Sequence, residues 1–213
     1  MSLYDLLTGP IMWITFILFV AGMVYKTITL VRMASASRPA TAFMNPNARF
    51  TRSYKASLPG RYPVTTLISV VFHLILLLLP LFIKGHNILL DTYWGISLPM
   101  LPDYVSDNLT MICIGCGLFF LLRRLLTRRV RAISFFSDYL IIVLVILPFL
   151  TGFIAYHRLL PYGFVINLHI ITGQLMLVAM PFTRLAHMIA FFVVRQTKPV
   201  AVPQQFDTNK GAV

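Results

Sequence analysis

Five long apolar stretches constrain what this chain can fold into more than any other feature. As a helix rising 1.5 Å per residue, each is long enough to cross the ~30 Å hydrocarbon core of a bilayer. We predict spans at about 10–33, 64–84, 109–126, 133–156 and 163–194. Of the 213 residues, 58% are hydrophobic, and there is no glutamate. The sequence therefore predicts an all-α integral membrane bundle of five transmembrane helices.

The same pattern sets the domain organisation. Residues 1–197 read as one five-helix membrane domain, and residues 198–213 as a flexible cytoplasmic tail. The N-terminus lacks the basic segment of a cleaved signal peptide, so its apolar run is predicted to be the first span. The stretch 85–108 is too polar and proline-broken to span, and we expect a short cap there.

Basic residues concentrate in three connections that share one end of the bundle. The opposite end carries most of the aspartates, with Lys84 and Arg158 as its basic residues. The positive-inside rule then puts the N-terminus outside and the C-terminus in the cytoplasm of a bacterial or archaeal inner membrane. The net charge of +12 thus reflects topology, and we expect no nucleic-acid partner. The basic residues at the inner end are Arg38, Arg49, Arg52, Lys55, Arg61, Arg123, Arg124, Arg128, Arg129, Arg131, Arg195, Lys198 and Lys210.

Four histidines are predicted to pair at two depths. Eighteen residues separate His169 from His187, which is five helical turns and a rise of roughly 27 Å, so both leave one face of the fifth span. The second span runs antiparallel and offers His73 near the inner side and His86 near the outer. Ionisable groups at membrane depth are costly and usually functional. Such pairs suit two haems held by bis-imidazole ligation, whereas four histidines that merely form hydrogen bonds are the alternative.

The outer pair meets a geometric difficulty. Thirteen residues separate His73 from His86, about 220° on a regular helix, so the two would point to nearly opposite faces. Pro80 and Gly85 lie between them and can kink or unwind the helix, which would re-aim His86. A protein with a single, inner haem is therefore the alternative to two haems.

Two segments carry a family resemblance. FLLRRLLTRRVRAISFFSDYLIIVLVILPFLTGF and NLHIITGQLMLVAMPFTRLAHM resemble the last three helices of the gamma (cytochrome b) subunit of respiratory nitrate reductase. The family includes related membrane subunits of sulfate-reducer and heterodisulfide-type complexes, and the resemblance covers about residues 60–195. The segment 95–103 looks closer to the sulfate-reducer branch. One departure is that the nitrate-reductase subunit spaces its two second-helix ligands by ten residues rather than thirteen.

The resemblance implies a dihaem cytochrome b that passes electrons between menaquinol and a cytoplasmic iron–sulfur subunit. In this sequence His73 and His187 would ligate the inner haem, and His86 and His169 the outer one. Other membrane and periplasmic cytochrome subunits are expected partners. No residue is assigned as catalytic, because the chain would be an electron-transfer subunit that is not an enzyme alone.

The sequence also predicts roles for several other residues. Arg184 is expected to pair with a haem propionate, or else to be an interfacial anchor. Asp138 is expected to pair with Arg129 or Arg131. The quinone candidates are Lys84, Asp107 and His157. The motif CIGC, with Cys113 and Cys116, is interpreted as packing residues together with Gly115 and Gly117.

Two competing functions use the same histidines differently. A cofactor-free transporter or assembly factor would let them bind a passing ion, although no repeated or inverted segments are visible in the sequence. A scaffold would bind haem without carrying current. Loss of the inner haem and of quinol-dependent reduction on replacement of His187 separates the cytochrome from both.

Overall fold

The computed structural model describes residues 2–36 and 62–187, and within these ranges every regular element is helical. The predicted tail, the basic residues of 37–61 and the predicted end of the fifth span beyond residue 187 lie outside the described residues. The helices are α1 (Leu3–Thr8), α2 (Pro10–Ala36), α3 (Pro63–Phe82), α4 (Lys84–Trp94), α5 (Asp103–Leu126), α6 (Arg128–Arg131), α7 (Phe136–Tyr156) and α8 (Tyr162–Phe182), followed by a 3₁₀ turn (Arg184–Ala186).

Five segments are long and apolar enough to cross a membrane, as predicted. They are α1 with α2 over Leu3–Met33, then α3, α5, α7 and α8. Large apolar side chains stand exposed along them, for example Ile17 and Leu67, which are 61% and 66% exposed. Helices that face lipid expose apolar side chains, because acyl chains rather than other protein side chains pack against them. The chain is a multi-pass membrane protein.

The helices pack in a chain of neighbours that leaves one gap. Helix α8 packs against α2 and α7, α7 against α5, and α5 against α3. A small core of Ile75, Leu79, Cys113 and Phe149 seals the seam of α3, α5 and α7. In the described part of the chain, the backbones of α3 and α8 are not closely packed against each other. The four paired histidines project from these two helices and the segments that follow them.

The packing interpretation of CIGC holds for part of the motif. Cys113 is fully buried in the core, and a Cβ on Gly117 would collide with Ile146. Close approach of α5 and α7 therefore requires glycine there. Gly115, by contrast, has open space where a Cβ would lie, so its predicted packing role is wrong.

The outer end is closed by a short helix, as expected for 85–108. Helix α3 ends at Phe82, and α4 turns away after an extended Ile83. The buried Asn87 bonds both backbone groups of Leu98, and so ties α4 to the strand-like segment that follows it. The third span begins at Asp103 rather than at 109, because Pro102 precedes a helix whose first-turn carboxylate suits the positive end of its dipole.

The fifth span is shorter than predicted. A continuous helix over 163–194 is wrong, since α8 ends at Phe182 and Thr183 is extended at φ −117° and ψ −174°. The Thr183 hydroxyl accepts a hydrogen bond from the Leu185 backbone N–H at 3.2 Å and so starts a separate 3₁₀ turn. His187 therefore follows a break and does not share one regular helix with His169.

Candidate functional site: two facing histidine pairs

The inner pair joins the second and fifth spans. The Nε2 atoms of His73 and His187 lie 3.3 Å apart, with the rings nearly perpendicular at 88°. The Nδ1 of His73 lies 2.6 Å from the Ser69 carbonyl, and that of His187 lies 2.8 Å from the Arg184 carbonyl. A carbonyl accepts only, so each Nδ1 carries the proton and each Nε2 turns its lone pair toward the other ring. Two facing lone pairs repel unless a cation lies between them.

The outer pair lies at the other end of the bundle and shares the carbonyl bonds of the inner pair. The rings of His86 and His169 are stacked, with centroids 5.8 Å apart and planes 22° from parallel. Their Nδ1 atoms each lie 2.9 Å from a proline carbonyl, that of Pro80 for His86 and that of Pro148 for His169. The predicted kink is present: the helix breaks at Ile83, and the break turns His86 toward the fifth span. Desolvation lowers the pKa of His86, which favours the neutral ring that ligates metals.

The imidazole of His169, in the outer pair, is held by residues that the sequence analysis did not identify. The Thr151 hydroxyl lies 3.4 Å from its Nδ1 and 3.2 Å from the buried Thr172 hydroxyl. A Cβ on Gly152 would lie 3.0 Å from His169 Cε1. The imidazole thus packs closely on the Gly152 backbone, where a larger residue would press on the ring. Adjacent threonine and glycine in the fourth span were the available signal.

The inner histidine pair fits a metal group held by two imidazoles, and the outer pair shares its carbonyl bonds. Metal-ligating histidines usually donate their second ring N–H to a carbonyl or carboxylate, and all four do so here. Bonds of about 2 Å from each ring to a central metal place the two Nε2 atoms about 4 Å apart. The inner pair would part by under 1 Å to reach that spacing. Within residues 2–36 and 62–187, no cluster of three or more histidine, cysteine or acidic side chains offers another metal site.

Asp138 forms a buried hub at the inner end. Its carboxylate accepts from Arg184 at 2.7 Å, lies 3.2 Å from Arg124, and accepts the Phe135 backbone N–H at 3.0 Å. The expected pairing with Arg129 or Arg131 is wrong, because these two lie exposed on α6 while the carboxylate pairs with Arg124 of α5 and with Arg184. The hub joins α5, α7 and the 3₁₀ turn, and it holds Arg184 three residues before His187.

Arg184 therefore already has a carboxylate partner in this chain. Its side chain remains 64% exposed, and a guanidinium has five N–H donors, so further donors stay free beside Asp138. The ion pair accounts for a cation at this depth without a bound anion. Pairing with a propionate stays a prediction.

Two of the three quinone candidates meet. His157 Nε2 lies 2.8 Å from Asp107 Oδ1, and the His157 ring packs on Phe153 with centroids 4.3 Å apart. His157 caps the outer end of α7, five residues beyond the glycine that touches His169. Lys84 begins α4 and does not join this pair among the contacts of the described residues. Because fifty residues separate the partners, spacing along the sequence did not reveal the pair.

Comparison with known proteins identifies a relative of this chain but no function. No model of a known protein family matches the chain. A protein of Nitratidesulfovibrio vulgaris is 34% identical to it over 205 residues, which cover 91% of this chain and 90% of the relative. The relative's name, "Protein", states no activity. The match therefore shows a bacterial family that shares nearly the whole length of the chain.

Proposed function

This chain belongs to one family with that Nitratidesulfovibrio vulgaris protein, and we propose that it is the haem b-containing membrane subunit of a respiratory redox complex. The observation that carries the proposal is the pair of facing imidazoles at each end of the bundle, every one with Nδ1 on a backbone carbonyl. This arrangement leaves four Nε2 lone pairs available to ligate two metal centres.

The two histidine pairs would each hold one haem, at different depths in the membrane. Bound haem supplies reversible one-electron transfer. His73 and His187 would hold one haem near the inner surface, and His86 and His169 the other near the outer surface. The carbonyl bonds fix each ring's tautomer and rotation, so the ligands are preorganised before the cofactor arrives. Asp138 fixes the turn that carries His187.

The outer surface would take the quinol. The His157–Asp107 pair is half-buried there, with the two side chains 34% and 24% exposed. An imidazole whose Nε2 is oriented by a carboxylate can accept a proton and release it to water, while the carboxylate stabilises the resulting charge. Menaquinol is the proposed substrate, and Lys84 is the remaining candidate contact.

The inner surface would dock the electron partner. Helix α6 and the end of α5 present Arg123, Arg128, Arg129 and Arg131 at the same end of the bundle as the inner histidine pair. Such a surface attracts an acidic soluble protein and speeds its association. We propose a cytoplasmic iron–sulfur subunit as this partner, in a complex of the sulfate-reducer type with further membrane and periplasmic cytochrome subunits.

Haem content tests the proposal directly. We expect the purified protein to show a reducible b-type haem spectrum and two haems per polypeptide. His187→Ala should lose the inner haem and quinol-dependent reduction, because one axial bond disappears. His157→Ala is the matched control, since it removes an imidazole that has no place in either pair and should keep both haems. A protein that carries no haem at normal expression would refute the proposal and leave a cofactor-free transporter or assembly factor.

A further inference from the structure

A groove opens at the inner end of the bundle, next to the inner histidine pair, and shares His187 with it. It has a volume of about 720 Å³ and is lined by α2, α7, α8 and the 3₁₀ turn. Leu140, Ile141 and Phe182 form an apolar wall, while Lys26, Arg184 and His187 form a polar edge. No residue of α3 lines it, so His73 is not part of the groove.

The edge of the groove is positively charged. Gly22 packs on Pro181, so Lys26, one helical turn further along α2, reaches the level of the 3₁₀ turn. Lys26 has no carboxylate within ion-pair distance in the described part of the chain. Asp138 balances only one of the two arginines it binds, so this corner keeps a positive charge even before Lys26 is added.

An apolar wall below a cationic edge matches one kind of molecule at a membrane surface. Acyl chains cover the apolar wall of any lipid-facing groove, but two cations at the headgroup favour an anionic lipid, whose phosphate charge is not balanced by a choline or amine of its own, over a zwitterionic one. Basic pockets between transmembrane helices on the cytoplasmic side bind anionic headgroups in this way. The Ser137 and Thr183 hydroxyls also line the groove and can donate to phosphate oxygens.

We propose that this groove binds an anionic phospholipid of the inner leaflet. The phosphate lies between Lys26 and the free N–H donors of Arg184, and an acyl chain lies along Leu140 and Phe182. Because the lipid would touch the segment that holds His187, it would also steady the inner histidine pair. Lipid binding needs no haem, so this proposal stands or falls separately from the proposed function.

Lipid titration tests it. We would remove lipid from the full-length protein in detergent, add phosphatidylglycerol or phosphatidylcholine, and count bound lipid by native mass spectrometry. The wild type should retain phosphatidylglycerol in preference to phosphatidylcholine. Lys26→Gln should weaken phosphatidylglycerol about fivefold, the effect of one cation near an anionic headgroup, and leave phosphatidylcholine unchanged. Lys26→Arg should restore the preference.

Two controls make the result decisive. Lys84→Gln removes the same charge at the outer end and should leave the lipid preference as in the wild type. Leu140→Trp narrows the groove at a residue that is 56% exposed, so it should fold and retain less of either lipid. Equal phosphatidylglycerol binding by wild type and Lys26→Gln would overturn the proposal. So would equal losses from Lys26→Gln and Lys84→Gln, or equal thermal protection by inorganic phosphate and phosphatidylglycerol.

Discussion

At the scale of single residues, the histidines matter less by their number than by what holds them. Each ring uses one nitrogen on a backbone carbonyl of its own span or of a neighbouring one. For His169 the carbonyl belongs to Pro148 on α7, so this ring is fixed by a helix other than its own. The adjoining Gly152 then becomes a positioning residue for the outer site.

Gly152→Val tests that role. A Cβ at this position lies 3.0 Å from His169 Cε1 and 3.2 Å from Nδ1, so a branched side chain must push the ring off the Pro148 carbonyl. We expect the variant to lose the outer haem and keep the inner one, which halves the haem-to-protein ratio. Absorption spectra and a pyridine haemochrome assay measure both quantities.

The control for this change lies on the helix that carries the affected histidine. Gly173 has open space where a Cβ would lie, so Gly173→Val should keep both haems. Equal haem content in Gly152→Val and Gly173→Val would show that contact with His169 does not position the ring.

At the scale of elements, the sequence predicted which segments span but not all the places where they break. Hydrophobic length depends on composition alone, and all five spans were predicted from it. The break at Thr183 depends on the Thr183 hydroxyl, which accepts a hydrogen bond from the Leu185 backbone N–H in place of a helical bond. The mean hydropathy of the segment does not reveal such a bond. The kink before His86 was predictable because Pro80 signals it directly.

Contacts between elements were harder to predict than the elements themselves. Opposed chain direction was enough to match His73 with His187 and His86 with His169. The partners of Asp138 were not predictable, because Arg124 and Arg184 lie on other helices whose rotation the sequence does not specify. Arg129 and Arg131 were predicted as partners because they are close to Asp138 in sequence, but both lie exposed on α6 and the carboxylate pairs with other arginines.

The cap formed by α4 gives a prediction at this scale. The Asn87 side chain is 3% exposed and bonds both the N–H and the carbonyl of Leu98. Asn87→Ala strands two backbone groups, and we expect a loss of about 1–3 kcal/mol in unfolding free energy. Thermal or denaturant unfolding of the purified protein measures the loss.

The matched control for the cap is another asparagine that bonds a backbone carbonyl. Asn108 is exposed and donates to the Tyr104 carbonyl within one helical turn. Because water replaces that bond, Asn108→Ala should change stability far less than Asn87→Ala. Equal losses of stability from the two variants would contradict the view that Asn87 holds in place the cap helix α4, which carries His86.

At the scale of the whole molecule, charge sets the expected orientation. Among the described residues, the turn between α5 and α7 carries the arginine cluster, while three exposed tyrosines lie at the opposite end. Tyr104, Tyr156 and Tyr162 are 71%, 59% and 55% exposed there. Tyrosines settle at either membrane interface, so these three mark one end of the bundle without giving its side, whereas arginine clusters are expected on the cytoplasmic side. The arginine cluster therefore predicts that the His157–Asp107 pair faces outside and Asp138 inside.

Cysteine labelling in intact cells tests this orientation. Ser97→Cys lies in the outer segment after α4, and Arg129→Cys lies in the arginine turn. A membrane-impermeant maleimide should label Ser97→Cys from outside, and Arg129→Cys only after the membrane is permeabilised, because charge bias fixes the insertion of short loops. The parent chain is the control: Cys113 is buried, and Cys116 is half-buried within the third span, so neither should react. Labelling of Arg129→Cys in intact cells would invert the molecule and move the proposed quinol site to the cytoplasmic side.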